Sequence, residues 1–347
     1  MRTTLRAIEE REPGPRWCAE LERLEPAYRE WFLREGDAAR PGYLTCRRAL
    51  RDHMPELEPI YERLVDLAGG GDLNARLLSL YCPTPYLAGC SQAVWTRSEP
   101  MLVRNYDYSP RLWDATLWHT AWSGMPVIAM GDCLWGVLDG MNEAGLVVSL
   151  AFGGRKVVGE GFGIPLVLRY ILETCDRTHE ATAVLERVPS HMSYNITIVD
   201  ADGAHATVFV APDRPVAVTR RAIATNHQHI VEWRQFAHAT ATVDREVFLG
   251  HRANDPEETR ERFVERFQQP PLFCTSFARG WGTLYTAIYE PQKGRSEFRW
   301  PHCTIQEAFD NFVELELPLD YSRHLQAGPP RPLEEWSEFD PYGEATA

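Results

Sequence analysis

With 347 residues, 44% of them hydrophobic and 11% aromatic, the chain can bury a large core as one big domain or two modest ones. A formal net charge of -13 argues against nucleic acid or an anionic membrane as its main partner, since both favour a basic surface. No apolar run approaches the roughly 18 residues of a membrane span, and the start MRTTLRAIEEREPGPRW lacks the apolar core of a signal peptide, so a cytoplasmic enzyme is expected.

Residues 1 to 89 are charged and read as helical, through Leu21 to Leu33 and again Leu57 to Leu67, where Gly69-Gly70-Gly71 ends the pattern. This segment carries no chemistry of its own. From Cys90 onward the pattern changes to short β-rich runs with glycine turns, interrupted by helical stretches at 164 to 188 and at about 253 to 267. Residues 91 to 108, SQAVWTRSEPMLVRNYDY, read as two strands around the turn Thr96 to Pro100. An antiparallel hairpin there brings Arg104 and Asp107 back towards Cys90. Strand runs and helix runs are segregated along the chain, which favours an α+β fold of antiparallel sheets covered by helices over an alternating βαβ fold. The tail 328 to 347, rich in proline and acidic residues, is expected to be loose or a surface strap.

Cys90 is the candidate nucleophile. A free cysteine is usually a buried core filler, and Arg-Asn-x-Asp populates turns and strand ends, so neither is specific alone. Their pairing across a hairpin is what suggests catalysis. Gly89 directly before Cys90 tolerates the strained backbone needed for the thiol to attack its own preceding carbonyl. Cleavage there leaves Cys90 as a new N-terminus, whose α-amine, with a reference pKa of roughly 8, can take the thiol proton. Eight scattered cysteines without a C-x-x-C pair fit reduced thiols better than a disulfide framework or structural zinc.

Gly89-Cys90 followed by Arg104-Asn105-Tyr106-Asp107 resembles the N-terminal-nucleophile (Ntn) hydrolases related to acyl-coenzyme A:6-aminopenicillanate acyltransferase, and more distantly choloylglycine hydrolases and acid ceramidase. Trp135 to Leu146, with Asn142-Glu143-Ala144-Gly145-Leu146, is similar to that family's strand and N-E-x-G-L turn. Gly163-Ile164-Pro165 and the helical run behind it, Ser193 to Gly203, Ala224-Thr225-Asn226-His227 and Gly282 to Tyr289 follow in the family's order across most of residues 55 to 300. The resemblance implies a four-layer αββα sandwich. It also implies a division into a helical pro-segment at 1 to 89, a catalytic domain at 90 to 327 and a loose tail at 328 to 347, the first two staying associated after cleavage.

It further implies roles. Cys90 attacks an amide carbonyl and forms a thioester; Asp107 holds the α-ammonium; Arg104 pairs with Asp107 or lowers the thiol pKa; Asn226 donates to the oxyanion. The family's late arginine has its positional candidate in Arg279. Trp113, Trp118, Trp122 and Phe152 are candidate walls of an apolar acyl pocket, with core packing as the plain alternative. An Asn that choloylglycine hydrolases carry near Ala151 is missing, which disfavours a bile-salt role. No cofactor is expected, and no metal either: His227-x-His229 lacks a third ligand in sequence. Gly159-Glu160-Gly161-Phe162-Gly163 misses the dinucleotide spacing and reads as a loop before a helix begun by Pro165. The substrate class is then a small N-acyl amide, taken by a hydrolase or an acyltransferase. The competing class is a non-catalytic small-molecule binder on the same scaffold, with an uncleaved chain and an inert Cys90.

Overall fold

The computed structural model describes residues 2–279 and 281–324. The first strand, β1 (Arg2–Glu9), precedes four helices, α1 (Pro15–Phe32), α2 (Tyr43–His53), α3 (Glu58–Leu67) and α4 (Asp72–Ser79). The hairpin β2 (Gly89–Trp95) and β3 (Met101–Tyr108) follows as expected. Next come β4 (Thr116–Thr120), β5 (Val127–Asp132), β6 (Gly136–Asn142) and β7 (Val147–Phe152). The helical stretch after them is broken into α5 (Ile164–Thr174) and α6 (Thr178–Arg187), with Pro165 in the first turn. Four strands, β8 (Tyr194–Val199), β9 (His205–Val210), β10 (Ala217–Thr219) and β11 (Ile223–Ala224), lead to α7 (Arg234–Thr240), α8 (Thr242–Asn254) and α9 (Arg260–Phe267). The last strands are β12 (Gly282–Glu290), β13 (Arg295–Trp300), β14 (Cys303–Ala308) and β15 (Leu315–Asp320).

These strands build two sheets. The nine-stranded sheet runs β10-β9-β8-β7-β6-β5-β4-β1-β15, antiparallel except at β1–β4. The six-stranded sheet runs β11-β2-β3-β12-β13-β14, antiparallel throughout. They face each other where β2 meets β7 and β8. Helices α5 and α6 cover the outer face of the larger sheet, and α8 and α9 cover the smaller one. The expected α+β, four-layer αββα sandwich is therefore the observed architecture.

Both faces of β2 and β3 are covered, so their polar residues must find partners inside. Gln92 meets that demand by bonding across the gap: its Nε2 donates to the Asn195 carbonyl at 2.9 Å, and its Oε1 accepts from Ser149 Oγ at 2.5 Å. A central strand is thereby fixed in depth and register between two sheets.

Three expectations need correction. Residues 2–9 are not helical; they form β1, inserted between β4 and β15, with Leu5 and Ala7 buried on one face. The helix expected at about 253 to 267 starts only at Arg260, because α8 has already run from Thr242 to Asn254 and a turn separates the two. Helix α7 was not anticipated; it joins α8 through Ala241 in the left-handed region, φ 48°. One hydrophobic core also runs from Leu5, Trp17 and Leu64 through Leu150 and Ile196, so residues before Cys90 share their packing with those after it. Trp17 Nε1 donates to the Leu134 carbonyl and Trp135 Nε1 to that of Leu78, tying the first helices to the body.

Candidate active site

Strand register places the hairpin residues. Cys90 lies opposite Tyr106 and Gln92 opposite Arg104, which puts these four on the face looking into the intersheet space. Gly89 lies opposite Asp107 and Ser91 opposite Asn105, on the face towards α8 and α9. Asn226 follows a third strand: β11 pairs antiparallel with β2, Ala224 opposite Gln92, so two residues on from Ala224 and two back from Gln92 Asn226 stands beside Cys90.

Arg104 is fully buried. Its Nη2 donates to Cys90 Sγ at 3.2 Å, and its Nη1 pairs with the carboxylate of Asp139 on β6. That carboxylate also accepts from Tyr285 (2.6 Å) and Tyr289 (2.5 Å), two β12 residues four apart and so on one face. Of the two roles expected for Arg104, pairing with Asp107 is not what is found. The guanidinium acts on the thiol instead. Burial pushes the Cys90 thiol above its ordinary pKa, and Arg104 opposes that rise. A thiol raised in this way is protonated near neutral pH, so a nucleophilic role would call for a base.

Asp107 turns the other way. Its Oδ1 accepts from Thr283 Oγ1 at 2.7 Å, and its Oδ2 lies 3.7 Å from Arg245 Nη1. Burial raises its pKa, against the lowering effect of Arg245 and Thr283.

Arg245, from α8, is the residue the sequence reading missed. Its guanidinium donates to the Cys90 carbonyl, to Ser91 Oγ at 2.8 Å and to Asn226 Oδ1 at 2.7 Å, while its Nε holds the Thr240 carbonyl at 2.8 Å. A signal was present: Thr242, Arg245 and Leu249 are the buried face of α8, spaced three and four apart, so the arginine sits on an inward stripe. Arg279 closes a short 3-10 turn, Ser276–Arg279, and its side chain lies outside the described residues.

Asn226 is fully buried, and its amide has one workable orientation. The Cys90 backbone N–H and Arg245 Nη2 can only donate, so the atom between them, 2.9 and 2.7 Å away, is the oxygen. The Nδ2 side then donates to the carbonyls of Ala88 (3.3 Å) and Phe152 (3.1 Å). Thr242 Oγ1 accepts from the Asn226 backbone N–H at 2.7 Å, which holds the whole turn against α8.

Gly89 is required by space. A Cβ there would stand 2.7 Å from Trp281 Cζ3 and 3.1 Å from Asp107 Cβ. Its φ is not in the left-handed region, so strain at this bond is not what selects glycine.

The candidate pocket residues divide. Trp113 stacks on Tyr285 with ring centroids 5.5 Å apart, and Tyr285 in turn meets Tyr106, so it borders the Cys90 cluster. The Phe152 ring packs on Tyr194, Trp233 and Phe236, and its carbonyl is held by Asn226. Trp118, on β4, packs on Trp122, whose Nε1 donates to the Glu10 carbonyl and whose ring lies under Arg169 of α5, on the helix-covered side of the larger sheet and away from Cys90. His227 pairs with Glu246, Nε2 to Oε2 at 3.1 Å, and the His229 ring rests on Phe209. Among the described residues no group of three or more His, Cys, Asp or Glu gathers as a metal site, and no helix is long and apolar enough to cross a membrane.

A thiol at the head of a doubly covered strand, with its own backbone N–H held by a carboxamide, is an arrangement for acyl transfer onto sulfur. The chain is an Ntn cysteine hydrolase, of the class that acts on carbon–nitrogen bonds of amides by hydrolysis or acyl transfer. It belongs to the acyl-coenzyme A:6-aminopenicillanic acid acyl-transferase family, whose model matches residues 95–303, a span that holds Arg104, Asp107, Asp139, Asn226 and Arg245 and begins just after Cys90.

Among solved structures it is similar to penicillin V acylase from Agrobacterium tumefaciens, at 16% identity and a TM-score of 0.46, over 64% of this chain and 86% of that one. It is also similar to the N-acylethanolamine-hydrolyzing acid amidase ortholog of Caenorhabditis elegans, at 15% identity and 0.45, over 67% and 100%. A variant of conjugated bile acid hydrolase from Clostridium perfringens aligns at 12% and 0.41, over 67% and 97%. A search of curated protein sequences finds no match.

Proposed function

We propose that this protein is a self-processing cysteine amidase or acyltransferase that works on small N-acyl amides through a thioester on Cys90. The observation that carries the reading is convergence on one residue. Arg104 reaches the Sγ of Cys90, Asn226 its N–H and Arg245 its carbonyl, while Asp107 flanks the preceding Gly89.

In processing, Sγ attacks the Gly89 carbonyl carbon, the bond from that carbon to the Cys90 nitrogen breaks, and the thiol proton passes to that nitrogen. Water then releases Gly89 as a carboxylate. The freed α-amine of Cys90 keeps its place beside Asn226 Oδ1 and becomes the base for turnover. It takes the thiol proton as sulfur attacks the substrate carbonyl, and returns it to the leaving amine. Arg104 stabilises sulfur as its charge develops. Asp107 supplies the negative charge that holds the ammonium, with Arg245 setting its orientation. Asn226 Nδ2, released from the Ala88 carbonyl when that segment shifts, is the donor for the oxyanion, worth roughly 3 kcal/mol of barrier.

The aromatic residues around the cluster, Trp113, Tyr106, Tyr285 and Phe152, support an apolar acyl group on the amide nitrogen. A panel of N-acyl amines, N-acyl amino acids and β-lactam amides tests this. Hydrolysis favouring hydrophobic or phenylacetyl-like acyl groups, and lost in Cys90→Ala, is expected. Diversion of product by an added amine marks an acyltransferase. A preference for short polar acyl groups contradicts the reading.

A further inference from the structure

We infer that Trp281 is a specificity-determining residue that restricts substrates to acyl groups unbranched at the carbon next to the carbonyl, C2. The inference rests on the Cys90 thioester reading and extends it to the acyl side of the substrate.

One sulfur attacks two carbonyls in the life of this protein, that of Gly89 during processing and that of each substrate afterwards. Both tetrahedral intermediates bond the same Sγ, which sits at the start of β2 with Arg104 Nη2 3.2 Å away. The substrate carbonyl therefore takes the place of the Gly89 carbonyl, and its C2 takes the place of Gly89 Cα. That Cα is closely surrounded: a carbon added in the L-Cβ direction meets Trp281 Cζ3 at 2.7 Å and Cη2 at 3.4 Å, and Asp107 Cβ at 3.1 Å. A separation of 2.7 Å is well inside the contact distance of two carbons, so something must shift.

Neither neighbour yields cheaply. Asp107 is fixed by Thr283 and stands in the middle of the six-stranded sheet. Trp281 is a large ring one residue before β12, on the same side of β2 as Asp107. The steric rule is directional. In a 2-phenylpropanoyl group bound with its phenyl along the path of Ala88, the (R)-enantiomer points its methyl where the L-Cβ would be.

The two 4-nitroanilides, phenylacetyl and (R)-2-phenylpropanoyl, differ by that methyl alone. We expect wild-type protein to prefer the unbranched substrate in kcat/KM by at least about tenfold, the usual penalty for forcing one extra carbon into a full site. Trp281→Ala is expected to bring the ratio close to one by raising turnover of the branched substrate. The same logic in cis predicts that Gly89→Ala blocks processing and that Gly89→Ala with Trp281→Ala recovers it, read by intact mass on protein whose fold is checked by circular dichroism. Equal use of both anilides by wild type, with Cys90-dependent turnover, overturns the inference and leaves the thioester reading intact. An undiminished preference in Trp281→Ala does the same. Absence of any Cys90-dependent release or cleavage overturns both together.

Discussion

At the residue scale the two arginines have separate jobs that the sequence does not separate. Arg104 and Asp107 stand three apart on one strand, yet a strand's period of two sends them to opposite faces. Arg104 therefore finds Asp139 across the intersheet space, and Asp107 finds Arg245 under the helix layer. Replacements should differ accordingly. Arg104→Ala leaves the Asp139 carboxylate buried with only tyrosine hydroxyls, and losing one partner of a buried pair commonly costs about 3–5 kcal/mol. This variant is expected to lose both thermal stability and activity. Asp107→Asn keeps its shape and its Thr283 neighbour, so turnover should fall on the order of a hundredfold while Tm moves little. Parallel melting curves and kcat/KM measurements check the contrast; a large Tm loss in Asp107→Asn would make that residue structural.

Asp139 and Arg245 were not singled out from sequence, and the reason is the same for both. Each is an ordinary charged residue in its own segment, and only the partner reached through the fold gives it meaning. A carboxylate in the middle of the run Val137-Leu138-Asp139-Gly140-Met141 was the visible hint for one. An arginine on the inward stripe of a helix was the hint for the other.

At the element scale, the hairpin β2–β3 and the N-E-x-G-L turn were legible because turn residues and β-rich runs are local signals. Strand β1 was not, because only two of its eight residues, Leu5 and Ala7, are buried, which leaves no extended alternation to read. Its charged remainder reads as a solvated helix. The consequence for processing is large. Strand β1 hydrogen-bonds to β4 on one side and β15 on the other, inside the nine-stranded sheet. A cut at Gly89 would not release such a strand without tearing the sheet. Fragments 1–89 and 90–347 are therefore expected to co-elute on gel filtration at the mass of the whole chain and to part only in denaturant. Separation under native conditions would contradict this.

At the scale of the whole molecule, one buried acidic pair links the segment before Cys90 to the body. Tyr28 of α1 donates to Asp114 and, at 3.2 Å, to Asp132 of β5. Burial raises Asp114 to about 6; burial and the neighbouring Asp114 raise Asp132 to about 8. The two titrate as a unit. Both folded values lie above the unfolded carboxylate range near 4, so the protonated pair favours the folded state. Its contribution is present at low pH and lost as pH rises through about 6 to 8. Tm is expected to fall between pH 5 and pH 9, and Asp132→Asn is expected to flatten that slope. A Tm profile with the same slope in the variant would remove the pair from the account.

Antiparallel sheets covered by helices were legible in the segregation of strand and helix runs along the chain, and the four-layer αββα arrangement in the family resemblance. What sequence does not show is the meeting of β2, β3, the turn after β11 and α8 around Cys90. Self-processing at Gly89–Cys90 is tested by the intact mass and N-terminal sequence of purified protein after prolonged incubation. Wild type is expected to give fragments of 89 and 258 residues, the second beginning at Cys90, while Cys90→Ala remains one chain of 347. A wild-type sample that keeps only the N-terminus at Met1 would contradict self-processing and favour an inert thiol on the same scaffold.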